Sequence, residues 1–152
     1  MTDFKNLDIS TAKECLLKKK FSSLELTKFF IDRIEKSNLN CFITNTFENA
    51  IEMAKESDKK ISRNREIRDL EGIPIGMKDL FCTKGVESQA ASRILEGFKP
   101  EYESTVGQNL LDNGTVMLGK LNMDEFAMGS SNETSVYGDV INPWKIDERN
   151  LT

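Results

Sequence analysis

The chain has 152 residues, about the length of one domain, and its 38% hydrophobic and 30% charged residues are typical of a soluble protein that folds. Lysine and arginine number 21 against 25 aspartates and glutamates, so the net charge of −4 provides no general attraction for nucleic acid. The chain contains no histidine, which excludes a Ser-His-Asp or Cys-His catalytic set built from this chain alone. Any proton transfer must therefore use a lysine or a carboxylate.

Cysteine usage and the absence of targeting segments point to a cytoplasmic protein. The three cysteines, Cys15, Cys41 and Cys82, are odd in number and far apart, without CxxC or metal spacing, which fits reduced thiols. No apolar run approaches the ~18 residues of a transmembrane helix, and the amino terminus lacks the apolar core of a signal peptide. We therefore expect a cytoplasmic location without membrane association.

The first 65 residues or so have helical patterns. Ser22 and Glu25 form a capping-box pattern, and Leu26, Phe30 and Ile34 recur every four residues as a buried stripe behind it. The predicted elements are a helix capped by Ser10 or Thr11 and ending near Lys19, a helix from Ser22 to about Ser37, a strand at 41–44, and a helix from about Glu48 to Ile61 with Ala50, Ala54 and Ile61 on one face.

Glycine, proline and small residues become frequent near Leu70, and strands then alternate with helices. Pro74 favours an edge or bulged position for the first of these strands. The predicted elements are a strand at Gly72–Met77, a short helix at Ser92–Gly97, a helix capped by Ser104 or Thr105 and ended by Asn113-Gly114, and a strand at Thr115–Leu118. The alternation predicts an α/β sheet, so we divide the chain into a helical region at 1–69 and the start of an α/β domain at 70–152.

The last part of the chain is irregular. The segment from Gly119 to Gly138 is rich in Gly, Ser, Asn and acids, which suits a ligand site after a core strand or a solvated surface loop equally well. Asn142-Pro-Trp144 is predicted to be a turn with an anchoring aromatic residue. Two or three strands are few for a sheet, which usually has about 4–6, so we expect an incomplete α/β domain.

Lys78 is the most informative single residue. It ends the apolar, strand-like segment from Leu70 to Asp79, in which Gly72 and Gly76 bracket Ile-Pro-Ile. Because lysine is costly to bury, a lysine at the end of a core strand is a candidate for chemistry. The alternative is an ion-paired or snorkelling lysine beside Asp79.

Four motifs together resemble the amidase signature family: Gly72-Ile-Pro-Ile-Gly-Met-Lys-Asp79, Thr83-Lys-Gly-Val86, Gly119 to Ser131, and Asn142-Pro-Trp144. The stretch Asn122-Met-Asp-Glu-Phe-Ala-Met-Gly-Ser-Ser131 is similar to the branch formed by the A subunits of aspartyl/glutamyl-tRNA amidotransferases. The resemblance covers essentially the whole chain. It implies the amino-terminal part of the amidase signature fold, a helical region followed by the first strands of a mixed sheet flanked by helices.

Family members hydrolyse amides with a Ser–cis-Ser–Lys triad, and Lys78 matches the triad lysine. The resemblance implies that Lys78 accepts a proton while neutral, and burial favours the neutral amine. Both triad serines fall beyond Thr152, and Ser131 belongs to an earlier loop. That loop lines the acyl pocket in the family, so Met128, Gly129 and Ser130 are expected near the substrate, with simple loop packing as the alternative.

The resemblance also implies partners. The A subunit releases ammonia from glutamine, a B subunit uses ATP and Mg²⁺ to activate Glu-tRNA(Gln) or Asp-tRNA(Asn), and a C subunit bridges the two in a heterotrimer. No cofactor is expected in this chain, and tRNA contacts would fall mainly to the B subunit, which agrees with the acidic composition.

Two other functions remain open: a small-amide amidase of the same family, and a non-catalytic truncated product. Because a lysine without its serines forms no acyl-enzyme, the 152-residue chain alone is expected to be inactive. It is also expected to be marginally stable or prone to aggregation, since its strand edges would lack neighbours.

Overall fold

The computed structural model describes residues 4–146 and 149–151, which contain four α-helices and five strands. The helices are α1 (Ile9–Leu17), α2 (Ser23–Glu35), α3 (Phe47–Arg63) and α4 (Thr105–Asp112). The strands are β1 (Phe42–Asn45), β2 (Pro74–Lys78), β3 (Val116–Leu121), β4 (Asn142–Ile146) and β5 (Arg149–Leu151). Single 3-10 turns lie at Phe4–Asn6, Arg93–Leu95 and Glu125–Ala127, so the predicted helix at Ser92–Gly97 is one such turn. The predicted α/β class is confirmed.

The chain divides into two compact units, and each combines segments that are distant in sequence. The first consists of Met1–Glu35, Thr46–Ile75 and Gln108–Leu118, and the second of Lys36–Asn45, Gly76–Gly107 and Gly119–Thr152. Strands β2 and β3 contribute residues to both units. The division at residues 69 and 70 follows chain order and stays a prediction about the family architecture.

Local capping residues define where α2 begins. The Ser22 N–H donates to the Glu25 carboxylate at 2.7 Å and the Glu25 N–H donates to Ser22 Oγ at 3.0 Å, which confirms the capping box. The Asp58 carboxylate on α3 also accepts the N–H groups of Ser23 and Leu24, at 2.7 and 3.1 Å. A negative charge from α3 thus lies at the positive end of the α2 dipole.

The first unit is built around an apolar cluster from α1, α2, α3, the α1–α2 connection and the residue before β2. Its buried members are Ala12, Cys15, Leu16, Phe21, Leu26, Ile61 and Ile73. Ala50 and Ala54 are fully buried on the predicted face of α3. The prediction for the α1 cap was wrong: Asp8 is the N-cap, and its carboxylate accepts the Thr11 N–H at 2.6 Å.

Strands β1, β3 and β2 form a sheet in that order, so β2 lies at an edge of the described sheet, as Pro74 indicated. Strand β1 is antiparallel to β3, with Thr44 opposite Lys120 and Asn45 opposite Gly119. Strands β4 and β5 form a separate antiparallel pair. The predicted turn at 142–144 was wrong, because these residues lie in β4 and the Trp144 side chain is 79% exposed rather than anchored.

Candidate functional site

Lys78 ends β2, and the chain turns immediately after it. The Phe81 N–H donates to the Lys78 C=O at 3.0 Å, which closes the turn, and the Asp79 N–H donates to the Leu121 C=O of β3 at 3.1 Å. The Lys78 side chain is exposed in the described structure, contrary to the burial expected for it, because it lies on the open face of an edge strand. The adjacent Asp79 is buried.

A cavity of about 230 Å³ lies beside Lys78 in the second unit. Its lining residues are Lys78, Asn122, Met123, Asp124, Ala127, Gly129, Ser130 and Asn132. Three of the four site residues predicted from the sequence, Lys78, Gly129 and Ser130, therefore lie around one cavity. Met128 is not among the lining residues, and it is 77% exposed. The roles of all four residues stay predictions.

The Asp124 carboxylate fixes the segment that forms one wall of the cavity. Its Oδ2 accepts the Asn132 N–H at 2.8 Å, and its Oδ1 accepts the N–H groups of Glu133 and Thr134 and the Thr134 hydroxyl at 2.9–3.1 Å. These hydrogen bonds, that of Asn132 above all, lower the pKa of Asp124. One carboxylate thus bends residues 124–134 into a closed loop, and this organising role was missed in the sequence.

Asn122 closes the base of the same loop. Its Nδ2 donates to the C=O groups of Asn40 and Gly138, at 3.1 and 3.0 Å. Its Oδ1 accepts the Met123 N–H at 2.8 Å and the Ser135 hydroxyl at 2.6 Å. All four hydrogen-bonding positions of the amide are therefore used, which leaves Asn122 a structural residue of the cavity wall.

Asn132, unlike Asn122, has a side-chain hydrogen-bond acceptor that is not used by any described residue. Its Oδ1 is buried at the cavity lining and has no hydrogen-bond partner among the described residues. Its backbone has a φ of 62°, in the left-handed region that asparagine tolerates better than most residues. An unpaired acceptor at a cavity wall is suited to a ligand N–H group.

Strained backbone supports the cavity wall from behind. Phe126 and Ala127 have φ values of 51° and 58°, and Ala90 and Ala91 have values of 50° and 51°. The two turns are joined, because the Phe126 N–H donates to the Ala90 C=O at 3.0 Å. Left-handed conformations in residues other than glycine are costly and tend to cluster at functional sites.

A second lysine, Lys120 on β3, is completely buried and lies 3.9 Å from the Asp79 carboxylate. Burial lowers the pKa of Lys120, and Asp79 opposes this shift. Burial likewise raises the pKa of Asp79, opposed first by the Ala91 N–H and then by Lys120. The only sign of this buried lysine in the sequence is its position directly after the Val-Met-Leu-Gly run, and its burial was not predicted from the sequence.

Within residues 4–146 and 149–151, no group of three or more His, Cys, Asp or Glu side chains is placed to hold a metal ion. The polar side chains that line the cavity are one amine (Lys78), two amides (Asn122 and Asn132), one hydroxyl (Ser130) and one carboxylate (Asp124). In the same part of the chain, no helix is both long and apolar enough to cross a membrane.

A profile of the amidase family matches residues 25–149, which is most of the chain. The chain belongs to the amidase signature family. Among curated relatives, the A subunit of the glutamyl-tRNA(Gln) amidotransferase of Ruegeria pomeroyi is 57% identical, over 95% of this chain and 29% of that protein. The protein of the same name from Bartonella tribocorum is 55% identical, over 99% of this chain and 31% of its own length. The family member described here thus spans less than a third of these relatives.

Solved amidase structures share the fold. The peptide amidase from Stenotrophomonas maltophilia superimposes with a TM-score of 0.83 at 27% identity, over 94% of this chain and 31% of that chain. A chain from a vestigial complex related to an s-triazine catabolic enzyme has a TM-score of 0.85 at 29% identity, over 90% and 31% of the two chains. The predicted fold class, the amino-terminal portion of the amidase signature fold, is confirmed.

Proposed function

We propose that this chain is the amino-terminal part of the glutamine-hydrolysing A subunit of a tRNA-dependent amidotransferase. The observation that carries the proposal is the 57% identity to the A subunit of a glutamyl-tRNA(Gln) amidotransferase over 95% of this chain. The cavity supports it, because the matched lysine shares one lining with Gly129 and Ser130. Ammonia would pass to a B subunit that uses ATP and Mg²⁺, with a C subunit bridging the two.

In this proposal Lys78 is the catalytic base. A serine oxygen attacks the side-chain carboxamide carbon of glutamine, and its proton moves through a bridging serine to Lys78. That proton returns to the departing nitrogen as the carbon–nitrogen bond breaks, which releases ammonia. Water then cleaves the glutamyl ester to give glutamate. Both serines would come from sequence that follows Thr152 in the complete protein.

The exposure of Lys78 bears on this mechanism. A base must be neutral when it accepts a proton, and removing water from an amine favours its neutral form. The described chain leaves Lys78 exposed. This chain matches only about a third of the length of its relatives. The proposal therefore requires that the rest of the complete protein covers the cavity.

The proposal is tested on the complete protein in complex with its partners. We expect release of glutamate and ammonia from glutamine, and a loss of about 10³-fold or more in kcat for Lys78→Ala. Lys84→Ala is the matched control, because Lys84 is an exposed lysine outside the cavity lining. Wild-type activity in Lys78→Ala would contradict the catalytic role.

A small-amide amidase is the second candidate, and the observation in its favour is the TM-score of 0.83 to a peptide amidase. Assays with glutamine and with a simple amide such as propionamide separate the two functions. Co-purification with B and C subunits would favour the amidotransferase. Reading the coding DNA past codon 152 tests the third possibility, a non-catalytic truncated product, since an immediate stop codon would support it.

A further inference from the structure

The buried pair of Lys120 and Asp79 has no part in the chemistry proposed for the cavity. Both side chains have 0% exposure, and Lys120 Nζ lies 3.9 Å from Asp79 Oδ1. Removing charges from water is costly unless they are paired and hydrogen-bonded. The groups to which Lys120 and Asp79 are hydrogen-bonded therefore indicate the role of the pair.

Lys120 donates three hydrogen bonds to the turn that follows β2. Its Nζ lies 2.5 Å from the Phe81 C=O, 3.1 Å from Thr83 Oγ1 and 2.8 Å from Ser88 Oγ. The hydroxyl groups of Thr83 and Ser88 have other acceptors for their hydrogens, the C=O groups of Phe81 and Val86, at 3.3 and 3.2 Å. Both hydroxyl oxygens thus act as acceptors, and only an ammonium group has the three hydrogens that this arrangement uses.

Phe81 connects Lys120 to Lys78 through its backbone C=O and N–H groups, which belong to successive peptide groups. Its C=O accepts from Lys120, while its N–H donates to the Lys78 C=O at 3.0 Å. A single residue, Phe81, therefore links the backbone of Lys78 to the buried ammonium group of Lys120 through two hydrogen bonds. The Asp79 N–H, bonded to Leu121 at 3.1 Å, fixes the other side of the same strand end.

Asp79 connects the same point to the opposite wall of the cavity. Its Oδ2 accepts the N–H groups of Gln89 and Ala91, each at 3.1 Å, and so holds the left-handed turn at Ala90 and Ala91. The C=O groups of Ala90 and Ala91 accept from Phe126 and Val136, which flank the segment that carries Gly129 and Ser130. One ion pair thus reaches both walls through short chains of hydrogen bonds.

We propose that Lys120 and Asp79 are positioning residues, which hold the Lys78 strand end and the Gly129–Ser130 segment at a fixed separation for amide hydrolysis. The inference rests on the proposed function, since it assigns Lys78 as the base. Rates depend steeply on such placement, and a misplacement of about 1 Å can cost 10²-fold.

The test is a double-mutant cycle in the assembled amidotransferase, with the complete form of this protein. The variants are Lys120→Met, Lys78→Ala and the two combined, and kcat for glutamine hydrolysis is measured well below the melting temperature of each. We expect Lys120→Met alone to lower kcat about 10- to 100-fold. In the Lys78→Ala background it should lower the residual rate no further, because residues that act as a unit are not additive.

The cycle separates positioning from stability. Partial unfolding would lower activity by the same factor in both backgrounds, and that result would overturn the proposal, as would wild-type kcat in Lys120→Met. Lys84→Met is the matched control, because it removes an exposed lysine from the same loop. If Lys120→Met does not fold, Asp79→Asn replaces it, since its side-chain oxygen can still accept from Gln89 and Ala91.

Hydrogen exchange gives a readout that does not need activity. In Lys120→Met, peptides covering the Phe81 amide should exchange about tenfold faster than in the wild type, while Lys84→Met should match the wild type. Unchanged exchange in folded Lys120→Met would overturn the proposal. If the wild-type complex releases no glutamate from glutamine, the proposed function fails, but the exchange rates still show whether the Lys120–Asp79 pair fixes the Lys78 turn. The exchange rates also test the positioning role if the activity of Lys78→Ala is too low to measure.

Discussion

The backbone of Gly129 lies directly against the carboxyl group of Asp124. A Cβ built at position 129 would lie 2.5 Å from Asp124 Oδ2 and 2.8 Å from Asp124 Cβ, so no side chain fits there without movement. The carboxylate cannot yield easily, because four hydrogen bonds to Asn132, Glu133 and Thr134 hold it. Glycine is therefore the residue that allows the loop to close over the cavity.

Gly129→Ala is expected to displace the cavity wall. The added methyl group must push away the Asp124 carboxylate or the loop, an overpacking effect that costs about 1–3 kcal/mol. In the complete protein we expect at least a tenfold loss of glutamine hydrolysis, measured as glutamate release by folded enzyme. Ser131→Ala is the control, because Ser131 is exposed and its hydroxyl bonds only Glu133. Equal activity of the two variants would contradict the steric argument.

The stabilising effect of Asp124 should depend on pH. Its pKa is lower in the folded chain than in the unfolded chain, so its contribution is fully present above the unfolded value of about 4 and is lost as the pH falls through the folded value. The difference in Tm between wild type and Asp124→Asn should thus be largest near neutral pH and shrink in acid. Thermal melts from about pH 7 to about pH 3 measure it, with the exposed Asp139→Asn as control. A difference that does not change with pH would contradict the assignment.

Gly114 and Gly97 form a matched pair that separates two destabilising effects of adding a side chain, backbone strain and overpacking. Both have positive φ, 86° and 79°, but a Cβ at Gly114 would lie 2.9 Å from the Glu71 Cα, while nothing lies within 4 Å of one at Gly97. Both alanine variants should lose stability from backbone strain, and Gly114→Ala should lose about 1–3 kcal/mol more from overpacking. Urea unfolding of the two variants measures the difference. Equal losses would mean that Glu71 moves aside freely.

The 152-residue chain on its own is expected to self-associate. Strand β2 is an edge of the described sheet, and large apolar side chains are exposed at Ile94 (80%), Trp144 (79%) and Met128 (77%). Unpaired edges and exposed apolar groups favour association. Sedimentation at several concentrations should show oligomers that diminish in Ile94→Lys and Trp144→Lys. A monodisperse wild-type monomer with a sharp cooperative melt would refute the expectation.

Local signals predicted much of the secondary structure. The capping pair Ser22 and Glu25 and the cap at Ser104, which accepts the Gly107 N–H at 3.1 Å, depend on neighbours three residues away and are readable from a short window. The α1 cap shows where such a window is ambiguous, because Asp8, Ser10 and Thr11 are all capping residues. Only the structure shows that Asp8 makes the bond.

The groups that organise the site could not be predicted in this way. Lys120 binds acceptors at residues 81, 83 and 88, more than 30 positions earlier in the chain. A lone lysine after a hydrophobic run does not reveal such partners. The exposure of Lys78 could have been expected, because Pro74 already indicated an edge strand, whereas the apolar segment around Lys78 was given more weight. Trp144 was expected to anchor a turn, but it lies in β4 and is 79% exposed.

The way the two units share the chain also constrains the order of folding. Residues 108–118 complete the first unit, where the Gly72 N–H donates to Gly114 and the Val116 N–H to Ile73. During synthesis, the helices made first must therefore wait for the end of α4 and the start of β3 before their unit can close. The apolar cluster is already complete at Ile73, but a growing chain that stalls before Val116 lacks the buried side chains of Val116, Met117 and Leu118 and the hydrogen-bond donor to the Ile73 C=O, which makes this interval the one in which a chaperone would be most useful.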